Sequence, residues 1–138
     1  MEIQKVTLKG LVCQDGKVFM LKDRSGNWEL PGGRIDFGET PEETLKREFH
    51  EELGIDDVEI GKVINIWSFI SNAHEDKYHF IVVIFSCKAD LSKLKISDEH
   101  LEYKWVGLDE IDKYPMRDGY RETLRMVAAS DPVESLKL

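Results

Sequence analysis

Apolar positions along this chain follow two rhythms. Val6 to Cys13 and Lys17 to Leu21 are strand-like runs, and Gln14-Asp15-Gly16 between them is a hairpin signal. Ser25-Gly26-Asn27 reads as a turn. Trp28-Glu29-Leu30 reads as a short strand stopped by Pro31, and Leu30-Pro31-Gly32-Gly33 as the entry to an irregular loop. Val58 to Ile70, Tyr78 to Cys87 (nearly continuous, hence central) and Leu101 to Val106 are further strands, and Leu108 to Ile111 resembles a helical turn. The rhythm changes to a helical period in two places. Thr40, Pro41 and Glu43 form an N-cap, first position and capping box, and Gly54 is a stop, so a helix is expected over 41–53. Asp118 to Ala129 reads as a second helix, with Leu124, Val127 and Ala128 on one face. This order predicts an α+β fold, a mixed sheet with helices packed on it.

In the first helix Leu45, Phe49 and Leu53 share a stripe at about 100° per residue, which docks on the sheet. Glu48, Glu51 and Glu52 cluster on a neighbouring face at the edge of a cleft, while Glu43, Lys46 and His50 lie on the far side. A solvated acidic face is the ordinary explanation of such a run. Two costs count against it: like charges three or four residues apart cost roughly 0.2–0.5 kcal/mol per pair. Acids in the last turn oppose the helix dipole by about 0.3–1 kcal/mol. Hard cations such as Mg²⁺ prefer oxygen ligands, and that supplies a reason to accept these costs.

Composition narrows the options. The 138 residues suit one domain, 1–138; 41% are hydrophobic and 33% charged. A net charge of −8 argues against stable nucleic-acid binding, although bound cations can reverse the local field for a small anionic substrate. Cys13 and Cys87 lie in apolar runs without metal-type spacing and are expected to be buried reduced thiols. No apolar run approaches the roughly 20 residues of a membrane span, and MEIQKVTLKG lacks a signal-peptide core, so a cytoplasmic protein is the expectation.

One spacing is specific. Gly33, five residues, Glu39, seven residues, then Arg47-Glu48-Phe49-x-Glu51-Glu52-x-Gly54-Ile55 resembles the Nudix box of the MutT-like hydrolases over residues 33–55. Phe49 stands where an aliphatic residue is more usual, and it remains apolar. Trp28-Glu29-Leu30-Pro31-Gly32 is similar to the family lead-in. The resemblance implies an α/β/α sandwich and a Mg²⁺-dependent hydrolase, with Mn²⁺ as an alternative ion. Its reaction is attack of water on phosphorus in the diphosphate linkage of a nucleotide or nucleoside diphosphate derivative. It implies Glu48 and Glu52 as core metal ligands, Glu51 joining them directly or through water, the Gly33 carbonyl as a further ligand, and Glu39 with Arg47 as a bracing pair. The general base stays open among Glu48, Glu52 and a later acid. Glu99, and after it Glu102, lie where relatives place one.

Trp28 is a candidate to stack on a base, with the cleft wall as its other reading. Lys22 and Arg24 are candidates to meet phosphate, with a solvated hairpin end as theirs. Trp67 and Phe69 are expected in the core or an interface. His74 and His79 flank a polar turn without a ligand pattern, and His50 faces solvent. Ile70-Ser71-Asn72-Ala73 carries neither the proline nor the tyrosine that would resemble ADP-ribose or dinucleoside polyphosphate enzymes, which lowers those options, and the small size of the chain favours nucleoside triphosphates or similar nucleotides. A non-catalytic nucleotide-binding module of the same fold, an acidic protein adaptor and a homodimer are readings the sequence leaves open.

Overall fold

A computed structural model describes residues 1–72 and 75–130; His74 lies outside them. The strands are β1 (Glu2–Gln14), β2 (Lys17–Lys22), β3 (Trp28–Glu29), β4 (Gly32–Arg34), β5 (Val58–Ser71), β6 (Lys77–Ala89) and β7 (Glu102–Gly107). The helices are α1 (Pro41–Leu53) and α2 (Asp118–Ala129), with a 3₁₀ turn at Ile111–Lys113. No helix among the described residues is long and apolar enough to cross a membrane.

The sheet path runs β3-β2-β1-β6-β5, with β4 added to β1 and β7 to β2. β1 pairs in parallel with β6 from Glu2–Lys77 to Val12–Cys87, and β6 pairs antiparallel with β5, so β6 is central. Side chains alternate between faces along each strand. The face with Leu8, Val12 and Cys87 packs under Leu45, Phe49 and Leu53 of α1. The face with Leu11, Val82 and Ile84 packs under Tyr120, Leu124 and Val127 of α2. The result is an α/β/α sandwich with one helix on each side.

Close approach makes both layers tight. A Cβ on Gly10 would stand 2.8 Å from the Phe49 ring, and one on Gly119 would stand 1.9 Å from the Trp67 indole.

Several sequence expectations change. Gly32–Arg34 is a strand paired with β1 rather than irregular loop, because Thr7, Leu8 and Lys9 offer it an open antiparallel edge. The helical turn after β7 starts at Ile111, three residues later than expected, where that residue enters the core. Ala128 is exposed: Tyr120, Thr123, Leu124 and Val127 complete the buried stripe, and a methyl group at its rim adds little.

Candidate active site

The capping box of α1 forms as read. Thr40 accepts from the Glu43 amide at 3.2 Å, and Glu43 accepts from the Thr40 amide at 2.9 Å. Gly54 closes the helix with φ +67°, a left-handed conformation that favours glycine. With both ends set, the helix presents its glutamates in a fan. At about 100° per residue, Glu52 lies about 60° from Phe49, Glu48 about 100° and Glu51 about 160°. Side-chain exposure follows that order: 4% for Glu52, 14% for Glu48 and 55% for Glu51. The three therefore do not share one cleft face. Glu48 and Glu51 line the cleft, whereas Glu52 is turned into the protein.

Gly32 and Gly33 are each required by an approach. Gly32 has φ +136°, and a Cβ there would lie 2.0 Å from the Leu8 carbonyl oxygen. Its amide donates to Glu52 Oε1 at 2.7 Å. A Cβ on Gly33 would lie 2.4 Å from Glu48 Oε1, so the bare backbone lets that carboxylate cross the edge of β4.

Arg47 ties the loop to the helix. Its Nε donates to Glu39 Oε2 at 2.7 Å and its Nη2 to Glu39 Oε1 at 3.0 Å, a bidentate pair. Nη2 also donates to the Arg34 carbonyl at 3.1 Å, and Nη1 to Glu48 at 2.9 Å and Glu51 at 3.3 Å. The hydrogen bonds from Arg47, with the Asp36 amide and Thr44 hydroxyl, hold the Glu39 carboxyl down to about 2.

The loop before β7 is fastened to the end of α1. The Lys95 and Ser97 amides donate to the Leu53 and Glu52 carbonyls, each at 2.9 Å, satisfying groups a helix end leaves free. Glu99 is thereby brought to the cleft. The cleft, about 670 Å³, is lined by Gly33, Glu48, Glu51, Glu75, Asp76 and Glu99 together with Arg34, Thr7, Tyr78 and Phe80. Five carboxylates thus face one basic side chain.

Burial raises the Glu48 carboxyl, with Glu51 adding to it and Arg47 opposing. Burial pushes Glu52 up to about 7 against the pull of Lys9, and neighbouring Glu48 adds to the rise. Crowded carboxylates short of positive charge, all offering oxygen, fit a hard divalent cation.

Behind the cleft lies a second charged group. Lys9, 6% exposed, reaches Glu29 Oε1 at 3.5 Å and donates to the Gly32 carbonyl at 3.2 Å. His100 Nε2 meets Glu29 Oε1 at 3.0 Å, and its Nδ1 stands 3.6 Å from Glu52 Oε2, too far for a hydrogen bond. Burial would lower the Lys9 ammonium, but Glu29, Tyr120 and Glu52 raise it above its ordinary value. Burial would raise Glu29, but Lys9 and His100 hold it down to about 2. Glu29, Glu52 and His100 could close around an ion; the Lys9 ammonium already stands against both acids. Lys9, Glu29 and His100 were not singled out from sequence, although a lysine inside an apolar strand is an available signal.

The remaining candidates fall elsewhere. The Trp28 ring is 5% exposed and meets Tyr114 edge-on at 5.6 Å, so it has no open face for a base. Arg24 donates to the Asp98 carbonyl, fastening the loop that carries Glu99. Lys22 pairs with Glu102 at 3.5 Å on the β2–β7 ladder, away from the cleft lining. The basic side chain at the cleft is Arg34, which sits inside the box and was not singled out from sequence. Cys87 is buried and its thiol pushed up to about 12 by burial; Cys13 is half-buried, and both are free. His50 is exposed against Asp56 at 2.5 Å.

Comparison with known proteins agrees with this geometry. The NUDIX domain model matches residues 6–127. The nucleoside triphosphatase NudI of Escherichia coli is 30% identical over 137 residues, covering 89% of this chain and 96% of its own. The MutT protein from Methanosarcina mazei Go1 superimposes with a TM-score of 0.74 at 26% identity, over 92% of this chain and 95% of its own. The MutT NUDIX hydrolase from Burkholderia pseudomallei gives 0.73 at 26% identity, over 90% and 98%. The match extends from β1 into α2 around a complete box, and the chain belongs to the Nudix (MutT-like) hydrolase family.

Proposed function

We propose that the chain is a Mg²⁺-dependent pyrophosphohydrolase that cleaves the diphosphate linkage of a nucleoside di- or triphosphate, or of a nucleoside diphosphate derivative, by attack of water on phosphorus. The observation that carries this reading is the cleft in which five carboxylates, Gly33 and Arg34 converge. An anionic nucleotide cannot enter such a field without cations. The Gly33 carbonyl, Glu48, Glu51 and Glu99 would hold them from the cleft, with Glu52 bounding the site from the protein side. Bound there, the ions offset diphosphate charge and make water more acidic.

The chain's own groups supply the rest. Arg34 contacts phosphate at the rim. Arg47 and Glu39 brace the loop and hold Glu48 in one orientation. Glu48, held at the cleft by Arg47, is placed to accept the proton of the attacking water. The relative NudI, a nucleoside triphosphatase, supports nucleoside triphosphates as the first substrates to try.

A panel of nucleotides with Mg²⁺, assayed for released phosphate and pyrophosphate, tests the reading. The expected result is turnover that falls about 10²–10⁴-fold in Glu48→Gln with substrate binding retained. Tight nucleotide binding without turnover under any divalent metal would instead establish the non-catalytic module.

A further inference from the structure

Lys9 departs from the pattern of its strand. Alternation puts it on the same face of β1 as the wholly buried Leu11, and its partner on β6 is the buried Ile84. Burying an ammonium there is unfavourable, and exchanging a buried ion pair for apolar residues of like volume is often neutral or stabilising. Packing alone therefore gives no reason for a lysine at this position, whereas its contacts supply one.

The Lys9 Nζ donates to the Gly32 carbonyl at 3.2 Å and stands 3.5 Å from Glu29 Oε1. The Gly32 amide donates to Glu52 Oε1 at 2.7 Å. The two peptide groups that meet at Gly32 are thus held from outside β4, one by a carboxylate of α1 and the other by the ammonium of β1. Glu29 and His100 close the circuit. His100 Nε2 meets Glu29 Oε1 at 3.0 Å, and its Nδ1, without a hydrogen-bond partner among the described residues, stands 3.6 Å from Glu52 Oε2.

β4 gains from such fastening. It is three residues long, Gly32 has φ +136°, and two successive glycines leave the backbone easy to turn. The carbonyl that Lys9 holds belongs to the peptide group that leads into Gly33, and the Gly33 carbonyl is the next along the strand. An ammonium offers three donors on a flexible stem, so one group can serve both a carbonyl and a carboxylate. An apolar side chain of equal reach would fill the space and hold neither.

We propose that Lys9 is a positioning residue of the hydrolytic site: by holding the Gly32–Gly33 peptide it aims the Gly33 carbonyl at the cleft and keeps the Gly32 amide on Glu52. Lys9 itself lies behind β4 and does not line the cleft. The role rests on the reading of that cleft as a metal site.

The test separates this role from that of an ordinary ion pair. Lys9→Met combined with Glu29→Gln removes both charges, so neither is left buried alone, and the double variant should unfold in urea near the wild-type midpoint. Mn²⁺ binding to the metal-free proteins is followed by the electron paramagnetic resonance signal of the free ion, with no substrate present. The double variant should bind Mn²⁺ about 10–100-fold more weakly, the range for losing a group that orients a ligand. Wild-type affinity in the double variant, or its failure to fold, shows that Lys9 serves the fold alone and overturns the role. A second measurement needs no variant. In the wild-type protein Mg²⁺ should shift the Gly33 carbonyl carbon and the Lys9 Nζ resonance in parallel by NMR. A shift at Gly33 with Lys9 unmoved overturns the role and leaves the metal reading intact; a wild-type protein that takes up neither ion overturns both.

Discussion

Glu29 shows how a residue outside the motif can support one inside it. Its carboxylate accepts from buried His100 and faces buried Lys9, and both stand against Glu52. Removing the Glu29 charge leaves the buried Lys9 ammonium without its nearest acid. Glu29→Gln should therefore destabilise the protein by about 3 kcal/mol at pH 7, the scale of breaking a buried ion pair. The sign of its pH dependence follows from the folded carboxyl lying at about 2 against an ordinary 4.5. A depressed carboxyl contributes stability that is fully present above pH 4.5 and is lost as the pH falls towards 2. Urea denaturation across that range should show the wild-type advantage over Glu29→Gln constant from pH 7 to 5 and shrinking below 4.5. An advantage that persists undiminished at pH 2.5 would show that charge is not its source.

At the scale of elements, α1 is specified at both ends and placed by what lies beneath it. Thr40→Ala removes one partner of the capping box and should cost about 1 kcal/mol in denaturant unfolding, without moving the glutamate fan. Gly33→Ala tests the approach of α1 to β4. The clash falls on the far end of Glu48, a side chain that can swing aside, so the protein should fold with a stability loss below about 1 kcal/mol. The displaced carboxylate should nevertheless lower kcat/KM about 10²-fold, the cost of a misplacement near 1 Å. Stability and activity measured on the same preparation separate these two effects; full activity in Gly33→Ala would show that the Gly33–Glu48 approach has no part in the chemistry.

At the scale of the molecule, the cleft collects residues from β1, β4, α1, β6 and the loop before β7 into one strongly negative concavity. Folding gathers these charges, and a cation relieves them, so the metal should stabilise the fold by mass action. Mg²⁺ at 100 times its dissociation constant should add about 2.7 kcal/mol of unfolding free energy, EDTA should remove it, and Glu51→Gln should reduce the gain at the same Mg²⁺ concentration. A thermal midpoint indifferent to Mg²⁺ would separate this cleft from metal binding.

Much of this protein is local, and local features are legible from the chain. The capping box, Gly54, the docking stripe of Leu45, Phe49 and Leu53, and the span of α1 depend on residues within one or two helical turns. The Nudix box is likewise a matter of spacing, so the carboxylates, Gly33 and the Glu39–Arg47 pair could all be named without coordinates. What each of them faces depends on contacts between distant segments. Glu52 turns inward because Lys9 and His100, 43 and 48 residues away in sequence, approach its side of the helix. Trp28 is withdrawn from the cleft by Tyr114, and Lys22 and Arg24 are engaged by Glu102 and Asp98. Arg34, Tyr78 and Phe80 become neighbours because β1 pairs with both β4 and β6. Spacing along a helix determines which groups lie on which side; only pairing between strands and closure of loops, which bring together residues far apart in the chain, decides which of those groups meet water, a cation or each other.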